Sequence, residues 1–487
     1  MRVLLVYSNQ TRDLLAAPPI GMSYVATATR NAGHDVRFLD LLLSEQPLSD
    51  LQSELTDFRP QVVGFSVRNI DNVVHQRLTR HLGELAQMIA TVRRASTAKI
   101  VLGGPAISVL GATTLDCLDA DFAVIGEGEI TFPELLSAIE GGRGHEHVAG
   151  VVYRKDHRVV SSGLARLPQF GPSGMEQWVR WRDYERRGAT WAIQTKRGCP
   201  MHCNYCAYPS VEGRAMRRRS AADVVDEIET VSASVGPRTF EFVDSTFNLP
   251  SEHSAEICRE IIRRGIRVNL TAMGVNPLNV SRELFSLMKR AGFNSMMITP
   301  ESASDTMLRN LRKGFSKEHV RRSAALARDS GISSTWFFML GGPGETRETV
   351  DETVSFVEEN LDWKNCLSIF MTGIRVLPGT ELARDVIARG EFPREQDFSE
   401  SVFYFSPGVS EAWMLRRINR AVARHPNIVH AAEEGGSAYE RLFHKTLHLM
   451  GVAPPYWRFL PAFLRFSPLP TLRRHFPAIG RKRDRTA

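Results

Sequence analysis

Lys196-Arg197-Gly198-Cys199-Pro200-Met201-His202-Cys203-Asn204-Tyr205-Cys206-Ala207-Tyr208-Pro209 places three cysteines in one short loop. Thiolates this close together suit an iron-sulfur cluster, and three of them hold three corners of a [4Fe-4S] cube while the fourth iron keeps an open position. A structural zinc site would want four closed ligands, usually in two pairs. No second cysteine pair lies nearby, and His202 stands between two of the ligands, poorly placed to be a fourth. Gly198 and Pro200 shape the turn, and Tyr205 sets a ring beside the sulfurs. Cys199, Cys203 and Cys206 are therefore the candidate metal ligands.

Downstream of this loop, short apolar runs alternate with helical segments. The runs at 240–243, 269–273, 295–299, 334–340 and 367–374 read as strands, and most end in polar or glycine residues: Asp244-Ser245-Thr246, Pro300-Glu301-Ser302, Gly341-Gly342-Pro343-Gly344, and Arg375. Strand carboxyl ends are where a barrel of parallel strands builds its site. Upstream, residues 2–7, 35–39, 61–67, 99–102 and 122–125 read as strands, with a helix at 21–32, which gives a doubly wound parallel sheet. Glycines mark its strand ends, Gly103-Gly104-Pro105 and Gly126-Glu127-Gly128-Glu129, where backbone can approach a large planar ligand. A two-glycine loop taken alone is equally a tight strand-to-helix turn.

At 487 residues the chain is too long for one compact core. We expect four parts: a first domain over 1–140, a β-rich connection over 141–185, a second domain over 186–392, and a mostly helical extension over 393–487. Six cysteines, three of them in one loop, are no disulfide framework, and Cys117, Cys258 and Cys366 read as ordinary buried thiols. The N-terminus enters a strand pattern without a signal peptide and no apolar run approaches a membrane span, so a cytoplasmic protein is expected. A net charge of +7 is modest for this size and no recognition motif accompanies it, so nucleic acid is not an expected partner.

The cysteine spacing and its flanks resemble the radical S-adenosylmethionine (SAM) superfamily, whose core is a partial (β/α)6 barrel and whose open iron is chelated by SAM. That resemblance implies roles at the strand ends. Asp244 would help bind the SAM amino group, against the plainer reading of a helix N-cap. Glu301, with Ser302 and followed by Leu311-Arg312-Lys313-Gly314, would contact the SAM ribose. Gly341, Gly342 and Gly344 would let backbone approach the adenine. Arg375 would pair with the SAM carboxylate, or else form a salt bridge to a barrel acid.

In the first domain, Pro19-Ile20-Gly21, Gly33-His34-Asp35-Val36, Val63-Gly64-Phe65-Ser66, the Gly-Gly-Pro turn and Gly-Glu-Gly-Glu follow in an order that resembles the Rossmann-like cobalamin-binding domain preceding the radical SAM core in one large branch of the superfamily. By that resemblance Ser66, Gly103, Gly104, Gly126 and Glu127 would contact the corrin or its nucleotide tail. The Asp-x-His-x-x-Gly motif that brings a histidine to cobalt is absent; Asp156-His157 lacks the spacing. The lower face of cobalt is then expected bare or water-bound, with Arg68 and Asn69 near it, unless Arg68 is simply a loop residue.

The resemblance implies an enzyme that uses a [4Fe-4S] cluster, SAM and cobalamin to methylate an unactivated carbon or phosphinate centre of a small-molecule or lipid-like substrate. It would work through a 5'-deoxyadenosyl radical and methylcobalamin, two SAM molecules per turnover, with flavodoxin or ferredoxin as electron donor. An oxidative cyclase or rearrangement enzyme using the same cofactors stays open, as does a non-catalytic cobalamin-binding regulator. Methylthio transfer is disfavoured, because such enzymes carry a second cysteine trio in the N-terminal domain and here that domain has only Cys117. Residues 456–466, followed by Arg473, Arg474 and Arg481-Lys482-Arg483, interleave aromatics with cations. They read as a cap on the barrel or as a peripheral membrane contact, and prolines that interrupt a long amphipathic helix favour the cap.

Overall fold

The computed structural model describes residues 1–10, 16–142, 144–431 and 438–466. The apolar run of β1 (Arg2–Tyr7) has the composition of a strand covered on both faces, and it lies inside a seven-stranded sheet. Its parallel part comprises β2 (Asp35–Asp40), β3 (Val62–Ser66), β4 (Lys99–Gly103) and β5 (Phe122–Val124) in the order β2-β1-β3-β4-β5. The order reverses between β1 and β3, so the crevice that takes ligands in such sheets opens at Tyr7 and Ser66. One face packs Val3, Leu5 and Val62 with Met22, Ala26, Phe132 and Leu136. The other packs Leu4, Val6, Val63 and Leu102 with Leu51, Leu55, Leu85 and Met88. Each such fully buried aliphatic side chain contributes about 1.5–3 kcal/mol.

The connection is β-rich only in part. A hairpin of β6 (Val151–Lys155) and β7 (Arg158–Ser161) pairs antiparallel onto β5, so the first sheet runs on past residue 140. Met175, Val179, Trp181 and Tyr184 then carry the same core to Trp191, with the Trp181 and Trp191 rings edge-to-face at 5.1 Å. The two domains share one continuous core.

The second sheet opens with β8 (Trp191–Ile193), which leads into β9 (Lys196–Arg197). The latter pairs antiparallel with β10 (Arg217–Arg218) and closes the cysteine segment into a loop. Next come β11 (Phe240–Phe242), β12 (Leu270–Val275), β13 (Phe293–Glu301), β14 (Ser333–Leu340) and β15 (Cys366–Thr372). A break at Gly373 separates β15 from β16 (Ile374–Arg375), which pairs antiparallel with β17 (Phe403–Tyr404). The last strand is β18 (Ile428–His430). The parallel order is β18-β15-β14-β13-β12-β11-β8, an arc whose two ends do not pair, as a partial barrel requires. It has seven strands rather than six, because the extension read as mostly helical contributes β18.

The aromatic and basic C-terminal stretch begins as a cap. Tyr456 is buried, Leu460 packs with Leu367, Ile369 and Val74, and the Pro454 carbonyl accepts the Thr239 hydroxyl at 2.6 Å. Arg473, Arg474 and Arg481 to Arg483 lie outside the described residues. Among the described residues no helix is long and apolar enough to cross a membrane. Cys258 and Cys366 are buried as expected, whereas Cys117 is exposed on the short Thr113–Cys117 helix, which shows its other face to the sheet.

Candidate functional site

The cysteine loop stands over the carboxyl ends of β8 and β11. At its base Gly198 takes φ +91°, and a Cβ there would collide with the Ala215 carbonyl, so only glycine serves. Cys199 is buried against Thr246, with Sγ 3.8 Å from the hydroxyl, and Cys203 and Cys206 are half-buried. Burial pushes the Cys206 thiol up to about 12 and raises Cys203 as well. Thiols so placed stay protonated unless a metal displaces the proton. Among the described residues no three Cys, His, Asp or Glu side chains converge on one ion-sized point. A single zinc ion needs such convergence, whereas a cube offers each thiolate its own iron. The residues fit a [4Fe-4S] cluster.

The Asp244 carboxylate accepts the Thr195 amide at 2.7 Å, the Thr195 hydroxyl at 2.6 Å, the Lys196 amide at 3.2 Å and Lys196 Nζ at 3.0 Å, and its side chain has no exposed surface. Four donors fill the roughly four lone-pair positions of a carboxylate. In this structure it anchors the strand leading into the cysteine loop.

Arg375 is likewise engaged with protein. Nε donates to Asp71 at 2.7 Å, one terminal nitrogen to the Val376 and Val402 carbonyls, and the other to those of Phe398 and Glu400. All five guanidinium donors are used. The salt bridge foreseen as the alternative exists, but its acid belongs to the first domain, so Arg375 ties the loop after β3 to the barrel. Ser302 turns outward as well, 2.9 Å from the Thr353 hydroxyl.

Glu301 stays at the mouth. It takes φ +66°, and the β13–β14 register shifts between Ile298 and Glu301, a bulge that re-aims the side chain. Oε1 accepts from Tyr205 at 3.2 Å and from Lys313 at 3.4 Å, which sets this acid directly beside the cysteine loop. Gly341 takes φ +98°, a conformation that favours glycine, and a Cβ on Gly342 would meet the side-chain ends of Ile374 and Met307 at 3.1 Å.

On the opposite wall, Ser66 ends β3 at the sheet's reversal, and Arg68 and Asn69 follow it, exposed. Gly103 and Gly104 differ in kind. A Cβ on Gly104, at φ +101°, would lie 2.6 Å from the Val67 carbonyl, whereas one on Gly103 would meet nothing closer than 4.0 Å. Protein packing thus requires glycine at 104 but not at 103, where the open face fits a close planar ligand. Gly126 pairs with Ala165. Glu127 is buried and accepts the Leu167 amide at 2.8 Å, with Arg217 at 2.5 Å and Arg197 at 3.4 Å. These ion pairs tie it to the base of the cysteine loop.

Three residues unmarked by sequence reasoning lie on the barrel side near the cysteine loop. Tyr208, two residues after Cys206, exposes 51% of its surface. Met273 is 39% exposed within β12. Glu241, on β11, accepts the Thr190 hydroxyl at 2.5 Å through Oε2, and burial raises its pKa. An acid in mid-strand among apolar neighbours was the one available sequence signal for Glu241.

A B12-binding domain model matches residues 14–136 and a radical SAM superfamily model matches residues 193–357. An uncharacterized methyltransferase of Pyrococcus horikoshii is 27% identical over 76% of this chain and 79% of its own length. The tryptophan 2-C-methyltransferase of Streptomyces laurentii is 25% identical over 79% and 74%. The structure of the radical SAM methyltransferase TsrM from Kitasatospora setae, solved with cobalamin and a [4Fe-4S] cluster bound, superposes with a TM-score of 0.82 at 24% identity, over 95% of this chain and 98% of that one. Residues 193–357 thus form a radical SAM domain, preceded by a B12-binding domain, the arrangement of the cobalamin-dependent radical SAM enzymes, and the cofactors are a [4Fe-4S] cluster, SAM and cobalamin.

Proposed function

We propose that this protein is a cobalamin-dependent radical SAM methyltransferase acting on a carbon or phosphinate centre of a small molecule. One observation carries the reading: the crevice at Ser66 and Gly103 and the cysteine loop are bound into one body, by Arg375–Asp71 on one side and by Glu127–Arg197 on the other. Relatives named as methyltransferases, aligned along three quarters of the chain, support methyl transfer as the reaction. When bound, the cluster and SAM supply a radical that removes hydrogen, and cobalamin supplies the methyl group.

The chain's own part is orientation and exclusion of water. Asp244 and Arg197 hold the base of the cysteine loop, Glu301 waits beside it for a hydroxyl-bearing partner of the SAM ribose kind, and the C-terminal cap packs against the barrel wall. Arg68, just past Ser66, is the cation beside the corrin crevice. Glu241 offers the substrate a sheltered carboxylate. An electron enters from a small reductase partner of the flavodoxin or ferredoxin kind.

Anaerobic incubation of the reconstituted protein with SAM, a strong reductant and candidate substrates tests this, with S-adenosylhomocysteine and 5'-deoxyadenosine quantified by mass spectrometry. Both products in substrate-dependent amounts are expected. Release of 5'-deoxyadenosine alone would move the assignment to cyclisation or rearrangement, and absence of both to a regulatory role.

A further inference from the structure

The second domain holds a buried cation beside the cysteine loop that the reaction outlined above does not use. Lys313 is 4% exposed, on the segment after the Asp305–Asn310 helix. Its ammonium lies 3.1 Å from the Tyr205 hydroxyl and 3.4 Å from Glu301 Oε1, and stands over the Tyr205 and Phe315 rings at 5.7 and 5.6 Å. Tyr205 lies between Cys203 and Cys206, so this packing fixes the ammonium behind the ligand loop. Two of its three N–H bonds have protein partners.

We propose that Lys313 is a positioning residue that sets the reduction potential of the cluster, its fixed charge offsetting the negative charge gained when the cluster takes up one electron. The proposal rests on the cluster reading of Cys199, Cys203 and Cys206. In a buried, weakly screened site a fixed charge acts strongly, and net charge around a cluster is among the factors that tune its potential. Glu301 Oε1 also lies 3.2 Å from the Tyr205 hydroxyl and opposes the effect, so each of the two charges acts on the cluster with its own sign. Lys196, the other buried lysine near the loop, donates to Asp244, Thr195 and the Phe247 carbonyl and has no charge to spare.

The test is a redox titration of the reconstituted full-length protein without SAM, read from the electron paramagnetic resonance of the reduced cluster, after iron and sulfide analysis has confirmed cluster content. Lys313→Gln is expected to lower the reduction equilibrium constant about tenfold, a displacement of about 59 mV for a one-electron couple. Lys313→Arg, which keeps the charge, should recover most of it. Glu301→Gln removes the opposing charge and should move the midpoint the other way, a sign reversal that a merely structural role would not produce. Full cluster content with an unmoved midpoint in Lys313→Gln would overturn the proposal, even if SAM affinity fell. If Lys313→Gln bound no cluster, Glu301→Gln alone would decide, and an unchanged or lowered midpoint would overturn it. Wild-type protein that bound no cluster would instead overturn the reading of the cysteines.

Discussion

Replacing Asp71 by asparagine keeps the side chain's shape and removes its charge. In the wild type this carboxylate accepts Arg375 Nε at 2.7 Å, the Ser401 hydroxyl at 2.7 Å and the Val73 amide at 2.9 Å. Its side chain is 2% exposed and that of Arg375 is 4% exposed. Removing one member of a buried pair costs about 3–5 kcal/mol, because the other charge stays behind uncompensated. Four carbonyls continue to hold the guanidinium, so the lower end applies, about 3 kcal/mol. At about 1.4 kcal/mol per tenfold, local opening of the domain junction becomes about 10²-fold more frequent. Native-state hydrogen exchange reads this directly. The amides of Asn72, His81 and Val376, which donate to Thr79, Ile70 and Val402, should lose about two orders of magnitude of protection, while amides inside β1 and β4 keep theirs. Unchanged protection at the three junction amides would refute the reasoning. Loss of SAM affinity without any exchange change in Arg375→Lys would restore the SAM carboxylate as the arginine's partner.

Other expectations follow from the same geometry. Cys199→Ala, Cys203→Ala and Cys206→Ala should each abolish the cluster's iron and its charge-transfer absorbance; a variant that retained full iron would remove that cysteine from the ligand set. Gly104→Ala, forced into a left-handed conformation against the Val67 carbonyl, should destabilise the first domain by about 1–3 kcal/mol. Gly103→Ala should fold normally yet bind cobalamin more weakly, and equal thermal midpoints for the two variants would contradict the distinction. Burial raises Glu345 from its ordinary 4.5 to about 7. The folded chain thus keeps a proton between those pH values that the unfolded chain has released, and this group makes stability fall as pH rises through that window. Glu345→Gln should flatten that part of the stability profile, and a fall as steep as the wild type's would count against it.

Much of the architecture was legible because its signals are local. The cysteine spacing lies within eight residues, and β1, β3, β4 and β14 are apolar runs long enough to stand out. The strands Trp191–Ile193 and Ile428–His430 are three residues each, too short for any periodicity to show. Charged residues at strand ends were harder, because their partners are distant in sequence. Asp244 meets Lys196 across 48 residues and Arg375 meets Asp71 across 304, protein contacts that sequence spacing does not reveal. Glu127 went the same way, to Arg217 and Arg197. Position relative to a strand end marks where a site lies, but these long-range partners are invisible to local sequence reading.

The central claim is that cobalamin and the cluster face each other in one rigid assembly. The most direct measurement is the electron paramagnetic resonance of cob(II)alamin in the reconstituted protein, with the cluster oxidised and then reduced. The account predicts that the reduced cluster broadens the cob(II)alamin signal and speeds its relaxation through magnetic coupling. Identical cob(II)alamin spectra and relaxation in the two cluster states would contradict it.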